Sequence, residues 1–175
     1  MVEKKLILAV TDEEIKAAIV AKANEYQELY KGQKLVIVTE LSGSFIFLAD
    51  FIRELPLDVS IKFVAFEKGI DKKDMTLDLE TKTSLKDQNV LLLVDVFNKG
   101  NALSKLYNIV KEGEAKDVRV LALTNRKNES KNMEIPVESL FEMNSDKIVG
   151  YGLADNESFR GLKHLYYLGD VEDEQ

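Results

Sequence analysis

The chain has 175 residues, the length of one ordinary domain; 45% are hydrophobic and 31% charged, as in a folded globular protein. It has no cysteine and one histidine, which excludes disulfides, thiolate nucleophiles and multi-histidine zinc sites. A formal charge of -7 speaks against general nucleic-acid binding, which rests on a basic surface, but leaves room for a small basic pocket.

No apolar run approaches the roughly 20 residues of a membrane span. The opening MVEKKLILAV is too short, and too soon followed by acids, for a signal peptide. A cytoplasmic protein of one domain, residues 1–175, with no membrane or nucleic-acid partner, is expected. Thr11 and Glu14 then have capping-box spacing. Ile15, Ala18, Ile19, Ala23, Tyr26 and Leu29 follow at helical intervals, and Lys31-Gly32 closes that helix. KLVIVT (34–39) reads as a strand buried on both faces, ELSGS as a turn and FIFLADFIREL as a helix. Phe45, Phe47 and Phe51 of that helix are expected in the core. VSIKFVAF (59–66) is the next strand.

Residues 67–88 form a long polar loop, either a lid or a surface hairpin. NVLLLVDV (89–96) is a strand, 102–111 a helix and DVRVLALT (117–124) a further strand. KIVGYGL and HLYYLG read as two short strands, and residues 170–175 as a frayed acidic tail. His164 is expected to be a surface or packing residue.

Strands alternating with helices imply a mainly parallel sheet covered on both faces. Ligands of such sheets sit beyond the strand carboxyl ends, here the loops after Thr39, Phe66, Val96, Thr124 and Leu153. Two of these loops pass through glycine into a helix: Leu41-Ser42-Gly43-Ser44, and Phe97 to Ala102 with Lys99 in its middle. Glycine lets backbone amides approach an anion, and the helix amino end favours negative charge. Alone, each is equally an ordinary helix cap.

Together with the closing segment, these motifs resemble one family. LVIVTELSGSFIFLADFIREL is similar to the first loop and helix of the hypoxanthine-guanine phosphoribosyltransferases. VLLLVDVFNKGNALSKL resembles their phosphoribosyl-pyrophosphate motif, and KIVGYGLADNESFRGLKHLYYLG their final segment. The resemblance implies the type I phosphoribosyltransferase fold: a mainly parallel, twisted sheet flanked by helices, with a small hood formed by the chain ends. It implies phosphoribosyl pyrophosphate and a purine base or nucleoside monophosphate as ligands, Mg2+ as cofactor if active and otherwise none, and a homodimer or homotetramer.

Carried over residue by residue, the family's paired ribose acids read Val94-Asp95, and its general base becomes Asn98, whose amide cannot take a proton at neutral pH. The 5′-phosphate hydroxyls fall on Lys99 and Ala102, beside Gly100 and Asn101. The first-loop lysine becomes Ser42, ahead of Gly43 and Ser44. The mobile-loop Ser-Tyr-Gly becomes Glu67-Lys68-Gly69. The purine-reading lysine falls on or beside Arg126, and the stacking aromatic near Lys147 and Ile148. The magnesium aspartate becomes Ala154, with Asp155 next to it, while the pyrophosphate arginine is kept as Arg160. Three readings stay open: a weakly active or inactive relative acting as a ligand-binding, regulatory or partner subunit; an active purine-salvage transferase with a remodelled site; and nucleotide or phosphate binding without reaction.

Overall fold

A computed structural model describes residues 4–66, 75–76, 84–127, 131, 135–144 and 147–170. Most of the long loop expected at 67–88, the Glu67-Lys68-Gly69 match and nearly all of the acidic tail lie outside them. The described elements are β1 (Lys4–Val10), α1 (Asp12–Leu29), β2 (Leu35–Glu40), α2 (Leu41–Glu54), β3 (Val59–Phe66) and β4 (Met75–Thr76). After these come β5 (Asn89–Phe97), α3 (Asn101–Glu112), β6 (Asp117–Arg126), β7 (Glu138–Met143), β8 (Ile148–Val149) and β9 (Leu165–Asp170).

The main sheet has the order β4-β3-β2-β5-β6-β7, in which the five strands from β3 to β7 run parallel and β4 joins β3 antiparallel. Its strands are near-continuous runs of Val, Ile and Leu because both faces are covered. Alternation divides those side chains between two cores. Leu35, Ile37, Leu91, Leu93, Leu121 and Leu123 meet α1 and α2, whereas Val36, Val38, Val90, Leu92, Val120 and Ala122 meet α3. A second, antiparallel sheet, β1-β9-β8, is the hood formed by the chain ends, with Lys4 opposite Asp170.

Helix α1 starts as expected: Thr11 accepts from the Glu14 amide, and the Glu14 carboxylate accepts from Thr11 N at 2.8 Å. It buries Ile15, Ile19, Ala23 and Tyr26, each large apolar side chain contributing about 1.5–3 kcal/mol. Leu29 is exposed and Tyr30 takes the buried place beyond it. The turn expected at ELSGS is instead the first turn of α2, because the Glu40 carboxylate caps it. Phe45 is 41% exposed, against the expectation of a core residue. Phe47 and Phe51 are one turn apart and share the buried face, and a residue two positions away points elsewhere. The strand expected at KIVGYGL is only Ile148–Val149, since the chain turns through Gly150 and Gly152 with φ of 93° and 95°.

Candidate active site

The parallel strands end where β2 enters α2 and β5 approaches α3, and there the hood turn packs onto the start of α2. Asp95 and Gly43 fix this junction. A Cβ placed on Gly43 would lie 1.8 Å from Asp95 Oδ2, so only glycine admits the carboxylate there. A Cβ on Gly152 would lie 2.7 Å from the Gly43 carbonyl, so the hood turn packs onto the same backbone. Sequence-flagged Ser42, Gly43, Ser44, Asp95 and Arg160 are thereby brought together.

Within this junction the polar groups largely satisfy one another. Glu40 Oε1 accepts from Ser42 N at 3.0 Å, and Oε2 accepts from Ser42 Oγ at 2.7 Å. The amino end of α2, a ready anion site, thus carries the chain's own carboxylate. Ser44 is buried and its hydroxyl donates to the Glu40 carbonyl at 2.6 Å. Arg160 Nη1 donates to the carbonyls of Ser42 (2.7 Å) and Gly152 (2.9 Å), and Nη2 to Glu157 Oε2 at 3.0 Å. Asp95 is partly buried and accepts from Val96 N at 2.7 Å. Burial pushes its carboxyl up from the ordinary range; Val96 N–H opposes this, and the charge of Glu40 adds to it. Glu40, Ser44, Val94, Asp95, Ala102 and their neighbours enclose a mostly apolar cavity of about 120 Å³.

The second loop keeps its hollow. Residues 96–103 line about 260 Å³ of space, among them the flagged Asn98, Lys99, Gly100, Asn101 and Ala102. Gly100, with φ of 91°, precedes the twelve-residue helix α3 and offers it no side-chain cap. Lys131, which no local pattern marks, secures this loop. Its ammonium donates to the carbonyls of Asn98 (2.7 Å), Arg126 (2.7 Å) and Phe97 (3.3 Å) and sits 4.4 Å above the Phe97 ring.

The remaining flagged residues divide between two places. Arg126 ends β6 beside Asn98, with Asn125, also unmarked, opposite Phe97 in the ladder. Lys147 and Ile148 belong to the hood: Ile148 is buried in the core, and Lys147 Nζ lies 3.7 Å from Asp155 Oδ1. Asp155 is also bonded to Lys4, and these two ammonium groups, Lys4 foremost, hold its carboxyl below the usual range. A carboxylate flanked by two cations, next to an alanine, does not fit a magnesium ion. His164 is a packing residue: its Nδ1 accepts from Asp12 N at 2.8 Å, at the start of α1. Glu40 carries only a weak signal: the usual capping residues are Ser, Thr, Asp and Asn, and what points to it is the general favour for an acid at a helix amino end.

Comparison with known proteins agrees with this geometry. A model of the phosphoribosyl transferase domain matches residues 9–156. The chain is 29% identical over 169 residues to the hypoxanthine phosphoribosyltransferase of Escherichia coli (strain K12), covering 93% of each chain. It is 29% identical over 173 residues to the hypoxanthine-guanine phosphoribosyltransferase of Dictyostelium discoideum, covering 94% of each. A crystal structure of a hypoxanthine-guanine phosphoribosyltransferase from Bacillus anthracis superposes with a TM-score of 0.82 at 22% identity, over 95% of this chain and 99% of that one. With the sheet order, the two strand-to-helix loops and the hood in place, the chain belongs to the phosphoribosyl transferase domain family, in its hypoxanthine-guanine phosphoribosyltransferase group.

Proposed function

We propose that the protein binds a purine nucleoside 5′-monophosphate in the inherited cleft and transfers phosphoribosyl groups weakly or not at all. One observation carries this reading: the Glu40 carboxylate occupies the amino end of α2, bonded to Ser42 N and Ser42 Oγ. That is the loop to which the resemblance assigns the pyrophosphate end of the donor. An incoming polyanion there meets a fixed negative charge, finds a serine in place of a lysine, and competes with three carbonyl and carboxylate oxygens for Arg160. The loss of a single charge-stabilising contact commonly lowers turnover by about a hundredfold or more.

The 5′-phosphate loop is differently placed. Its hollow, its uncapped helix and Lys99 suit a phosphate monoester, which needs neither the pyrophosphate pocket nor a metal. A nucleoside monophosphate unites that end with a base and omits the rest. Such a protein would serve as a ligand-binding, regulatory or partner subunit, self-associated as a dimer or tetramer and cytoplasmic.

The test is an assay with hypoxanthine or guanine, phosphoribosyl pyrophosphate and magnesium, alongside calorimetric titration of inosine and guanosine monophosphates. Binding with turnover at least about a hundredfold below a working relative is expected. Ordinary turnover would identify the second reading, an active purine-salvage transferase. That reading is favoured by retention of Asp95, Gly100 and Arg160, and by full-length similarity to enzymes named for hypoxanthine. Any such transfer is expected to require magnesium, as in the family.

A further inference from the structure

We infer that the cleft prefers a 2′-deoxyribonucleoside 5′-monophosphate to its ribo counterpart, because the space beside the phosphate loop pairs one carboxylate oxygen with an apolar wall. This rests on the nucleotide-binding reading above and names its ligand class. Two hollows adjoin at the carboxyl end of β5. The 260 Å³ space along residues 96–103 and the 120 Å³ cavity share Val96, Ala102 and Leu103 in their linings. A phosphate held in the first therefore directs its sugar toward the second. An apolar cavity of about 150 Å³ holds a benzene ring, so 120 Å³ suits a five-membered sugar ring.

The cavity has two unlike walls. On the α3 side, Val64, Leu103 and Leu106 belong to one buried apolar cluster, and Val94 packs against it. On the α2 side stand Glu40, Ser44 and Asp95. Most polar atoms of that second wall are already engaged. The Glu40 carboxylate accepts from Ser42 N and Ser42 Oγ, and the Ser44 hydroxyl donates to the Glu40 carbonyl. Asp95 Oδ1 accepts from Val96 N at 2.7 Å, which leaves Oδ2, beside Gly43, for a ligand.

The two walls select the sugar. A ribonucleotide carries adjacent hydroxyls at C2′ and C3′, and each needs a partner once water is displaced. One of them can donate to Asp95 Oδ2. Its neighbour, turned to the α3 side, meets the side chains of Val64, Val94, Leu103 and Leu106 and gives up its bonds to water without replacement. A 2′-deoxynucleotide has the single hydroxyl that this cavity satisfies, and its C2′ methylene belongs against the apolar wall. An apolar pocket rejects an added hydroxyl by up to about a hundredfold; with only one such wall here, about tenfold is expected.

The experiment is calorimetric titration of the full chain with guanosine and 2′-deoxyguanosine 5′-monophosphates, and with ribose and 2-deoxyribose 5-phosphates, which carry no base. Each deoxy ligand is expected to bind about tenfold tighter than its ribo partner. Val94→Thr places a hydroxyl on the apolar wall without changing its shape, and should bring both ratios toward one. Ala102→Ser does the same from an exposed position, where folding is not at stake. Equal or tighter binding of the ribo ligands by the unaltered chain overturns this inference and leaves the nucleotide-binding reading standing. A deoxy preference unchanged in both variants overturns its assignment to this cavity. Failure of all four ligands to bind at millimolar concentration overturns the inference and that reading together.

Discussion

Gly43→Ala tests whether the junction of Asp95 with α2 is as tight as described. Two effects oppose each other there. Within a helix, alanine is favoured over glycine by about 1 kcal/mol, so a free site would gain stability. Here the new methyl would lie 1.8 Å from Asp95 Oδ2, 2.8 Å from Cγ and 3.3 Å from Cβ. Ordinary contact begins at about 3.4 Å, so the carboxylate must move by more than an atomic radius or the helix must shift. Overpacking of this kind costs about 1–3 kcal/mol, occasionally more. The net expectation is a loss of about 1–2 kcal/mol. In an Asp95→Ala background only the 3.3 Å contact to Cβ remains, and the same substitution should become neutral or stabilising. Urea denaturation of the four proteins in this double-mutant cycle measures the coupling. An additive cycle would mean that Gly43 and Asp95 do not touch, and the account of the site would fail with it.

Three further outcomes are expected. Burial holds the Asp95 carboxyl up, so its favourable contribution is complete below the unfolded range and is lost as pH rises through the folded value. Asp95→Asn should therefore raise the melting temperature at neutral pH, by an amount that shrinks on acidification; an unchanged or lower value at pH 7 contradicts this. Lys131→Met keeps the stem over Phe97 but strips the ammonium from three carbonyls, and should cost about 1–3 kcal/mol by chemical denaturation. A change within experimental error would show the clamp to be idle. Thr11→Ala removes one half of the α1 capping box and should cost about 1 kcal/mol, while Thr11→Ser should restore most of it.

The strands of the central sheet were readable because burial on both faces demands unbroken apolar runs, and β3 was expected at its observed limits. The hood strand β1 carries no such mark. Leu6, Ile7 and Leu8 are all exposed, so neither alternation nor a buried run distinguishes it, and its partner β9 lies at the other end of the sequence. Strand β7 is obscured for a related reason: Leu140 and Phe141 are only half-buried, and its one fully buried apolar residue, Met143, stands at its last position after Glu142. At the site, resemblance located Ser42, Asp95, Gly100 and Arg160, which depend on motif order. It did not find Glu40, Asn125 or Lys131. Lys131 acts on carbonyls 33 and 34 positions earlier in the chain, a relation that no spacing rule contains.

The hood has a mechanical corollary. Its edge strand β1 and central strand β9 place Lys4 directly opposite Asp170 in an antiparallel ladder, so the first and last described strands begin and end on the same side of the sheet. Tension applied between Lys4 and Asp170 loads those rungs one at a time, as in a zipper, rather than all together in shear. The small sheet should peel away at low force while the parallel layers stay folded, and a peptide linker joining the two ends should lock it shut.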